Sequence, residues 1–230
     1  MIGVLGGLFL GVLLGLRHAL EPDHLAAVST LVAHRQDPRA GLAVGALWGV
    51  GHTFGLLLLA GGLTVLEAHL APSTELALEC AVAAMLIVLG VRSLLLAARA
   101  GTAGPPSPHF HGGHAHVHPA APGGHVHLSR WALAPRPLAI GIVHGLAGSG
   151  ALTALVMARL PTLPARLGYI VLFGVGSVAG MALLTGAAGL SLQILRPGAR
   201  WNARLVTVTG LVSLGLGCFW GWTSARGLIG

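Results

Sequence analysis

The residues best able to do chemistry lie in one short segment, His18-Ala19-Leu20-Glu21-Pro22-Asp23-His24. Neutral imidazoles with a carboxylate suit borderline divalent ions such as nickel, cobalt or zinc, whereas magnesium or calcium would require several oxygen ligands. On an unbroken helix, Asp23 and His24 would point away from His18. Pro22 has no N–H to donate to the carbonyl of His18, so we expect the helix to break here. The break would turn the three side chains, and a freed carbonyl, toward one point.

Two further histidines lie in apolar stretches. His52 is flanked by glycines that allow close helix approach, and we predict that it is a fourth metal ligand. His144 precedes another helix breaker, Ala147-Gly148-Ser149-Gly150, but has no acidic neighbour. We interpret His144 as a lining or gating residue, with Glu21 and Ser149 also secondary.

Simpler roles exist for these residues. A histidine within a membrane can serve only as a hydrogen-bond partner between helices, which applies most to His144 and less to His52. Arg17 can neutralise Asp23 or Glu21 without any metal. An intramembrane carboxylate is nevertheless expensive, at about 2.5 kcal/mol or more at a helix centre, unless it is paired or lines water. This cost favours a functional role for the grouped residues.

A second group of histidines lies in the proline-rich connection over residues 99–136. Its prolines and glycines predict an absence of regular structure, and such a tract binds nickel, cobalt, zinc or copper with little selectivity. We predict a metal acceptor or sensor beside the first group of histidines, although a tolerated linker is the alternative. The predicted acceptor residues are His109, His111, His114, His116, His118, His125 and His127.

The composition places these residues in a membrane protein. Of 230 residues, 54% are hydrophobic and only 8% are charged, and the mean hydropathy is +0.82. These values exclude a typical soluble enzyme and a disordered chain, and two cysteines in apolar runs exclude a disulfide scaffold. The 13 basic residues are all arginines and are scattered singly, which argues against nucleic-acid binding. The lipid bilayer is therefore the expected environment.

Apolar runs predict an all-α fold with six transmembrane helices. Arginines concentrate in the connections after the first, third and fifth spans. By the positive-inside rule, both termini face outward and the histidine-rich loop is cytoplasmic. The predicted spans are 2–20, 40–65, 76–98, 137–158, 167–192 and 204–224.

The two halves of the chain resemble each other at an offset of 125 or 126 residues. Gly15–Leu20 matches Gly141–Leu146, and Trp48–Gly51 matches Phe173–Gly176. Because three spans reverse direction, the copies must be inverted, which is a transporter architecture. We predict a first repeat over 1–98, the loop over 99–136 and a second repeat over 137–230. Chance similarity between Gly/Leu-rich helices is the alternative.

The segment Arg17–Ala27 resembles the H-x4-D-H signature of the nickel/cobalt transporter family, most closely its short urease-associated nickel permease branch. Trp48–His52 and Gly141–Gly150 are similar to further conserved blocks of that branch. The resemblance implies that His18, Asp23 and His24 are required for transport and that His52 supports them. Long members of the family have eight spans, whereas six are predicted here.

We therefore expect a secondary transporter of Ni²⁺, with Co²⁺ as a further substrate, that carries the ion inward across a bacterial-type cytoplasmic (inner) membrane. The metal is cargo and no cofactor is expected; a cytoplasmic nickel chaperone is a candidate partner. The chain has no lysine and hence no Walker A motif.

Three other functions remain open at the level of sequence. The histidine-rich loop also resembles that of nickel and cobalt exporters. Export of an anion such as sulfite would leave Asp23 unexplained. An intramembrane serine protease would use Ser149, but His144 lies on the same span and provides poor geometry for a dyad. We expect no enzymatic activity.

Overall fold

A computed structural model describes residues 2–32, 37–102, 107–111, 114–118, 135–148, 152, 155–156, 160–195 and 198–229. These residues form helices and one short β-hairpin, so the prediction of an all-α body is confirmed. A π-helical turn spans Leu57–Gly61. The elements are α1 (Ile2–His18), α2 (Pro22–Val32), α3 (Pro38–Leu56), α4 (Gly62–Val65), α5 (Pro72–Thr102), β1 (Ser107–His111), β2 (His114–His118), α6 (Pro135–Ala147), α7 (Leu163–Leu195) and α8 (Ala199–Ile229).

The predicted helix break is present between α1 and α2. Helix α1 ends at His18, and α2 begins at Pro22, where proline is tolerated because the first helical N–H has no partner within the helix. The expectation of a freed carbonyl at His18 is wrong. The turn closes with a hydrogen bond from the Glu21 N–H to the His18 carbonyl at 3.0 Å, which replaces the one that Pro22 cannot make.

Four of the described helical segments are long and apolar enough to cross a membrane, with mean hydropathies from 1.5 to 2.3. Helix α1 contributes a shorter apolar segment, Phe9–His18. Helix α6 ends at Ala147, and much of the rest of the predicted span 137–158 lies outside the described residues. The four segments are Pro38–Val65, Pro72–Arg99, Leu163–Leu195 and Trp201–Leu228.

Helix α3 lies at the centre and packs against α6 and α7. Small residues allow these helices to approach closely, as is usual in membranes. A Cβ atom at Gly141 would overlap the backbone of Trp48, so α3 and α6 are in backbone contact there. On the other side, the Thr53 hydroxyl donates to the Gly174 carbonyl at 3.1 Å. These contacts hold the middle of α3 firmly between the two neighbouring helices.

Helices α5 and α8 form an antiparallel pair. The Ser213 hydroxyl donates to the Leu86 carbonyl at 2.9 Å, and the Ser93 hydroxyl donates to the Val206 carbonyl at 3.3 Å. Leu86 is fully buried and belongs to the same core cluster as Trp48. This pair therefore packs against the centre of the bundle.

The connection over 99–136 contains regular structure, contrary to the expectation from its prolines. Strands β1 and β2 are antiparallel, with Pro108 opposite Val117. A two-stranded ribbon accepts proline because each strand has an edge whose N–H groups need no partner. The register places His109 opposite His116 and His111 opposite His114, whereas His125 and His127 lie outside the described residues.

Candidate functional site

The break between α1 and α2 is the centre of the candidate site. His18 is the last residue of α1, and Asp23 and His24 lie in the first turn of α2. His52 comes from the middle of α3, and His144 comes from α6. We call these five residues the histidine cluster. The structure thus brings together all four predicted metal ligands and one residue that was predicted to be secondary.

The imidazole rings of the cluster are in close contact. The ring centroid of His24 lies 4.4 Å from that of His18, 5.3 Å from that of His52 and 4.1 Å from that of His144. The rings of His18 and His52 are 5.1 Å apart. His24 therefore lies between the other three histidines. Because His24 and His52 are fully buried, these contacts are shielded from solvent.

Asp23 bridges two of the histidines. Its Oδ1 lies 3.0 Å from His24 Nδ1, and its Oδ2 lies 2.5 Å from His144 Nε2. A carboxylate accepts hydrogen bonds, so each of these ring nitrogens carries the proton. Both oxygens of Asp23 are thus satisfied by imidazoles, and the proposed neutralisation by Arg17 is not observed. His144 was underestimated from the sequence because its partner lies 121 residues away.

Several imidazole nitrogens of the cluster are buried and have no hydrogen-bond partner among the described residues. Burying such a polar atom without a partner is unfavourable, and a deprotonated imidazole nitrogen is a common metal ligand. The Asp23 contact leaves the opposite nitrogen of His24 available, as in carboxylate–histidine–metal arrangements. The unpartnered atoms are His18 Nε2, His24 Nε2, His52 Nδ1, His52 Nε2 and His144 Nδ1.

These donor atoms form two overlapping groups that share His24. One group is His18, His24 and His52, and the other is Asp23, His24 and His144; within each, one donor atom per residue lies within 4.8 Å of the others. Ligands bound to one ion at about 2.1 Å can be at most about 4.2 Å apart. Small side-chain movements therefore suffice for either group to close on an ion.

Glu21 and Trp48 border the cluster. The Glu21 Oε2 lies 3.0 Å from His18 Nδ1, which leaves His18 Nε2 as the free nitrogen. The Glu21 side chain is 52% exposed, so it connects the cluster to the surroundings. Trp48 is fully buried, with its ring 5.4 Å from that of His24. Trp48 thus shields His24 from the surroundings.

A cavity of about 340 Å³ lies against the cluster. It is lined by His18, Asp23, His24 and His144, but not by His52, which lies deeper. Sequence reasoning missed the part of its wall that comes from α5 and α8, because the residues there carry no motif. The missed polar residues are Glu79, Trp220, Thr223 and Ser224. Ser149, which was predicted to be secondary, lies outside the described residues.

Comparison with known proteins identifies two relatives. The chain is 30% identical to the urease accessory protein UreH of Bacillus sp. (strain TB-90) over 212 residues, which cover 92% of this chain and 89% of that protein. It is also 30% identical to the chloroplast protein FOR GROWTH AND FERTILITY 1 of Arabidopsis thaliana, covering 94% of this chain but 58% of that protein. No family model matches, and no solved structure matches.

Proposed function

Because the chain belongs to the family of the urease accessory protein UreH, we propose that it is a secondary transporter of Ni²⁺, with Co²⁺ as a second substrate, in a bacterial-type cytoplasmic membrane. Its relationship to a urease accessory protein fits the resemblance of Arg17–Ala27 to the nickel/cobalt transporter signature. The observation that carries the proposal is the buried histidine cluster at a helix break. Three of its imidazoles have unpartnered nitrogens directed to a common region, and Asp23 supplies the negative charge.

The donor set favours a borderline divalent ion such as Ni²⁺ or Co²⁺. His18, His24 and His52 offer nitrogen ligands, which match Ni²⁺, Co²⁺ and Zn²⁺ better than Mg²⁺ or Ca²⁺. Asp23 orients His24 and can join the ligand set when its contact with His144 opens. The ion is therefore proposed to be held by His18, Asp23, His24 and His52, with His144 releasing or retaining Asp23.

Equivalent contacts in the two halves support the proposed inverted repeats over 1–98 and 137–230. Helices α3 and α7 correspond to each other and run antiparallel, as do α5 and α8. In each half, a glycine at an equivalent position contacts the backbone of the other half. The contacted backbone positions are also equivalent between the two halves. These contacts are Gly15 against Phe173 and Ser177, and Gly141 against Trp48 and His52. The cluster lies where these two contact regions meet, as expected for a transport site between inverted repeats.

The mechanism follows from the position of the cavity. The cavity reaches His18, Asp23, His24 and His144, whereas His52 is closed off from it. An ion that enters from the cavity would meet the Asp23 group first and then pass to the His18–His24–His52 group through the shared His24. Rocking of the two repeats would then open the other side. The membrane potential favours inward movement by about 2.3 kcal/mol per charge for each 100 mV.

The direction is proposed from the arginine distribution. The cavity extends toward Glu79, near the start of α5, and Ser224, near the end of α8. The positive-inside rule places this end of both helices outside. The described cavity would then be open outward, which favours uptake over export. On the inner side, the histidine-rich loop would accept the ion and pass it to a nickel chaperone.

An anion substrate is disfavoured by the charge of the cavity. The lining residues within the described part of the chain include Glu21, Asp23 and Glu79, but no arginine. Such a wall repels sulfite and attracts a divalent cation. The protease alternative depends on Ser149, and nothing in the described cluster places a nucleophile beside His144.

Uptake of radioactive nickel into proteoliposomes with an inside-negative potential tests the proposal. We expect uptake by the parent protein and by His69→Ala, because His69 is exposed in the connection before α5. His18→Ala and His24→Ala should each remove at least nine tenths of the rate. Equal uptake by all four proteins, with equal amounts inserted, would refute the assigned site.

A further inference from the structure

Helix α5 contributes an acidic residue to the cavity. Glu79 lies near the start of α5, a helix that is long and apolar enough to cross a membrane, and its exposed side chain lines the cavity beside the histidine cluster. A carboxylate in such a segment is costly unless it is paired with a cation or faces water. Among the described residues that share its cavity, none carries a permanent positive charge. Glu79 therefore faces the cavity without a permanently charged cationic partner among these lining residues.

The side chain of Glu79 is held in place by the other half of the molecule. The Ser224 hydroxyl of α8 donates to Glu79 Oε2 at 2.8 Å, across 145 residues of sequence. A hydroxyl fixes the orientation of the carboxylate without neutralising it. The negative charge thus remains available to a ligand in the cavity.

The chemistry of the cavity changes from its wall to its deep end. Glu21, Asp23 and Glu79 account for three of the six acids in the chain, so half of them face one cavity. At the deep end, the fully buried His24 has an unpartnered Nε2. Carboxylates bind a cation that still holds part of its water, whereas imidazoles bind a borderline ion after its water is removed. This order is suited to stepwise dehydration of a divalent cation.

We propose that Glu79, oriented by Ser224, forms an outer staging site that captures the hydrated divalent cation before it reaches the histidine cluster. This inference rests on the proposed transport function and adds a residue that governs capture. Glu21 contributes the second carboxylate, because it lines the same cavity and contacts His18. The staging site sets the rate at which dilute ion reaches the cluster, whereas the cluster sets the final affinity.

Nickel binding to the purified full-length protein tests the proposal without requiring transport. Trp220 lines the cavity, so paramagnetic Ni²⁺ should quench its fluorescence, and the difference between parent and Trp220→Phe isolates this signal from the histidine-rich loop. In a stopped-flow measurement at low salt, Glu79→Gln should slow the Trp220-dependent quenching about threefold to tenfold, because neutralising one charge weakens electrostatic steering. Glu75→Gln, which neutralises an acid in the first turn of α5, is the matched control.

The same variants are compared for nickel uptake. Glu79→Gln should reduce uptake at limiting nickel by a similar factor, and saturating nickel should restore the parent rate. Equal quenching and uptake rates for Glu79→Gln and Glu75→Gln would overturn the staging site while leaving the transport proposal intact. Slowed quenching in Glu79→Gln, together with an absence of nickel uptake by the parent, would refute the transport proposal but support the cation site. An absence of Trp220-dependent quenching in the parent would refute the staging site directly.

Discussion

Asp23 Oδ2 and His144 Nε2 are 2.5 Å apart and join α2 to α6 across the two halves of the chain. The other oxygen of Asp23 contacts His24 Nδ1 at 3.0 Å. One carboxylate thus sets the orientation of two imidazoles from different halves. A movement between the halves would therefore alter the ligand geometry directly.

Asp23→Asn should reduce nickel uptake by at least tenfold. An amide retains one acceptor oxygen but places an NH₂ group against the second imidazole, so one of the two contacts must change. Asp37→Asn is a suitable control, because Asp37 caps α3 through a contact with the Arg39 N–H at 3.0 Å and asparagine also caps helices well. Parent-level uptake by Asp23→Asn in folded protein would contradict the role of the carboxylate.

The effects of Asp23→Asn and His144→Ala on nickel affinity should not be additive. Residues that share a hydrogen bond usually show a coupling energy of about 0.5–3 kcal/mol. We expect the double variant to bind nickel no more weakly than the worse single variant. Isothermal titration of nickel into the parent, the two single variants and the double variant measures the four affinities. Strictly additive losses of binding free energy would show that the two residues act independently.

His52→Ala should abolish nickel-dependent stabilisation without abolishing the fold. Both ring nitrogens of His52 are unpartnered among the described residues, so the substitution removes no hydrogen bond. A ligand that binds the folded state raises the unfolding midpoint. Thermal unfolding with and without nickel should show the rise for the parent and for His69→Ala, but not for His52→Ala. A rise of equal size in His52→Ala would assign the stabilisation to another site, such as the predicted metal acceptor in the loop.

Gly15→Val and Gly141→Val should both lower the unfolding midpoint, and by comparable amounts. A Cβ atom at either position would overlap backbone of the facing helix, and the two contacts are equivalent if the halves are repeats. Overpacking of this kind costs roughly 1–3 kcal/mol or more. Gly62→Ala is the control, because a Cβ atom there meets nothing within 4 Å. Loss of stability in only one of the two valine variants would argue against the repeat.

Sequence reasoning succeeded where the cause is local. Pro22 cannot continue a helix, and the break between α1 and α2 occurs where this rule places it. Sequence reasoning underestimated His144, because its contact with Asp23 depends on how α6 is placed beside α2 and on no residue near it in the sequence. Glu79 was missed for the same reason, since only the pairing of α5 with α8 places it in the cavity.

The hairpin in the histidine-rich loop illustrates another limit. Pro108 suggested irregular structure, but its N atom needs no partner when it lies on the outer edge of a ribbon. Which edge a strand presents is decided by its pairing and not by its own sequence. The prediction of a metal acceptor in this loop rests on its histidines and does not require the loop to be irregular.

The most direct test of the account is an anomalous-difference map, measured at the nickel absorption edge, of crystals soaked in Ni²⁺. The account predicts a peak between His18, His24 and His52, within bonding distance of their unpartnered nitrogens and next to Asp23. Nickel bound only to the histidine-rich loop, with an empty histidine cluster, would contradict it.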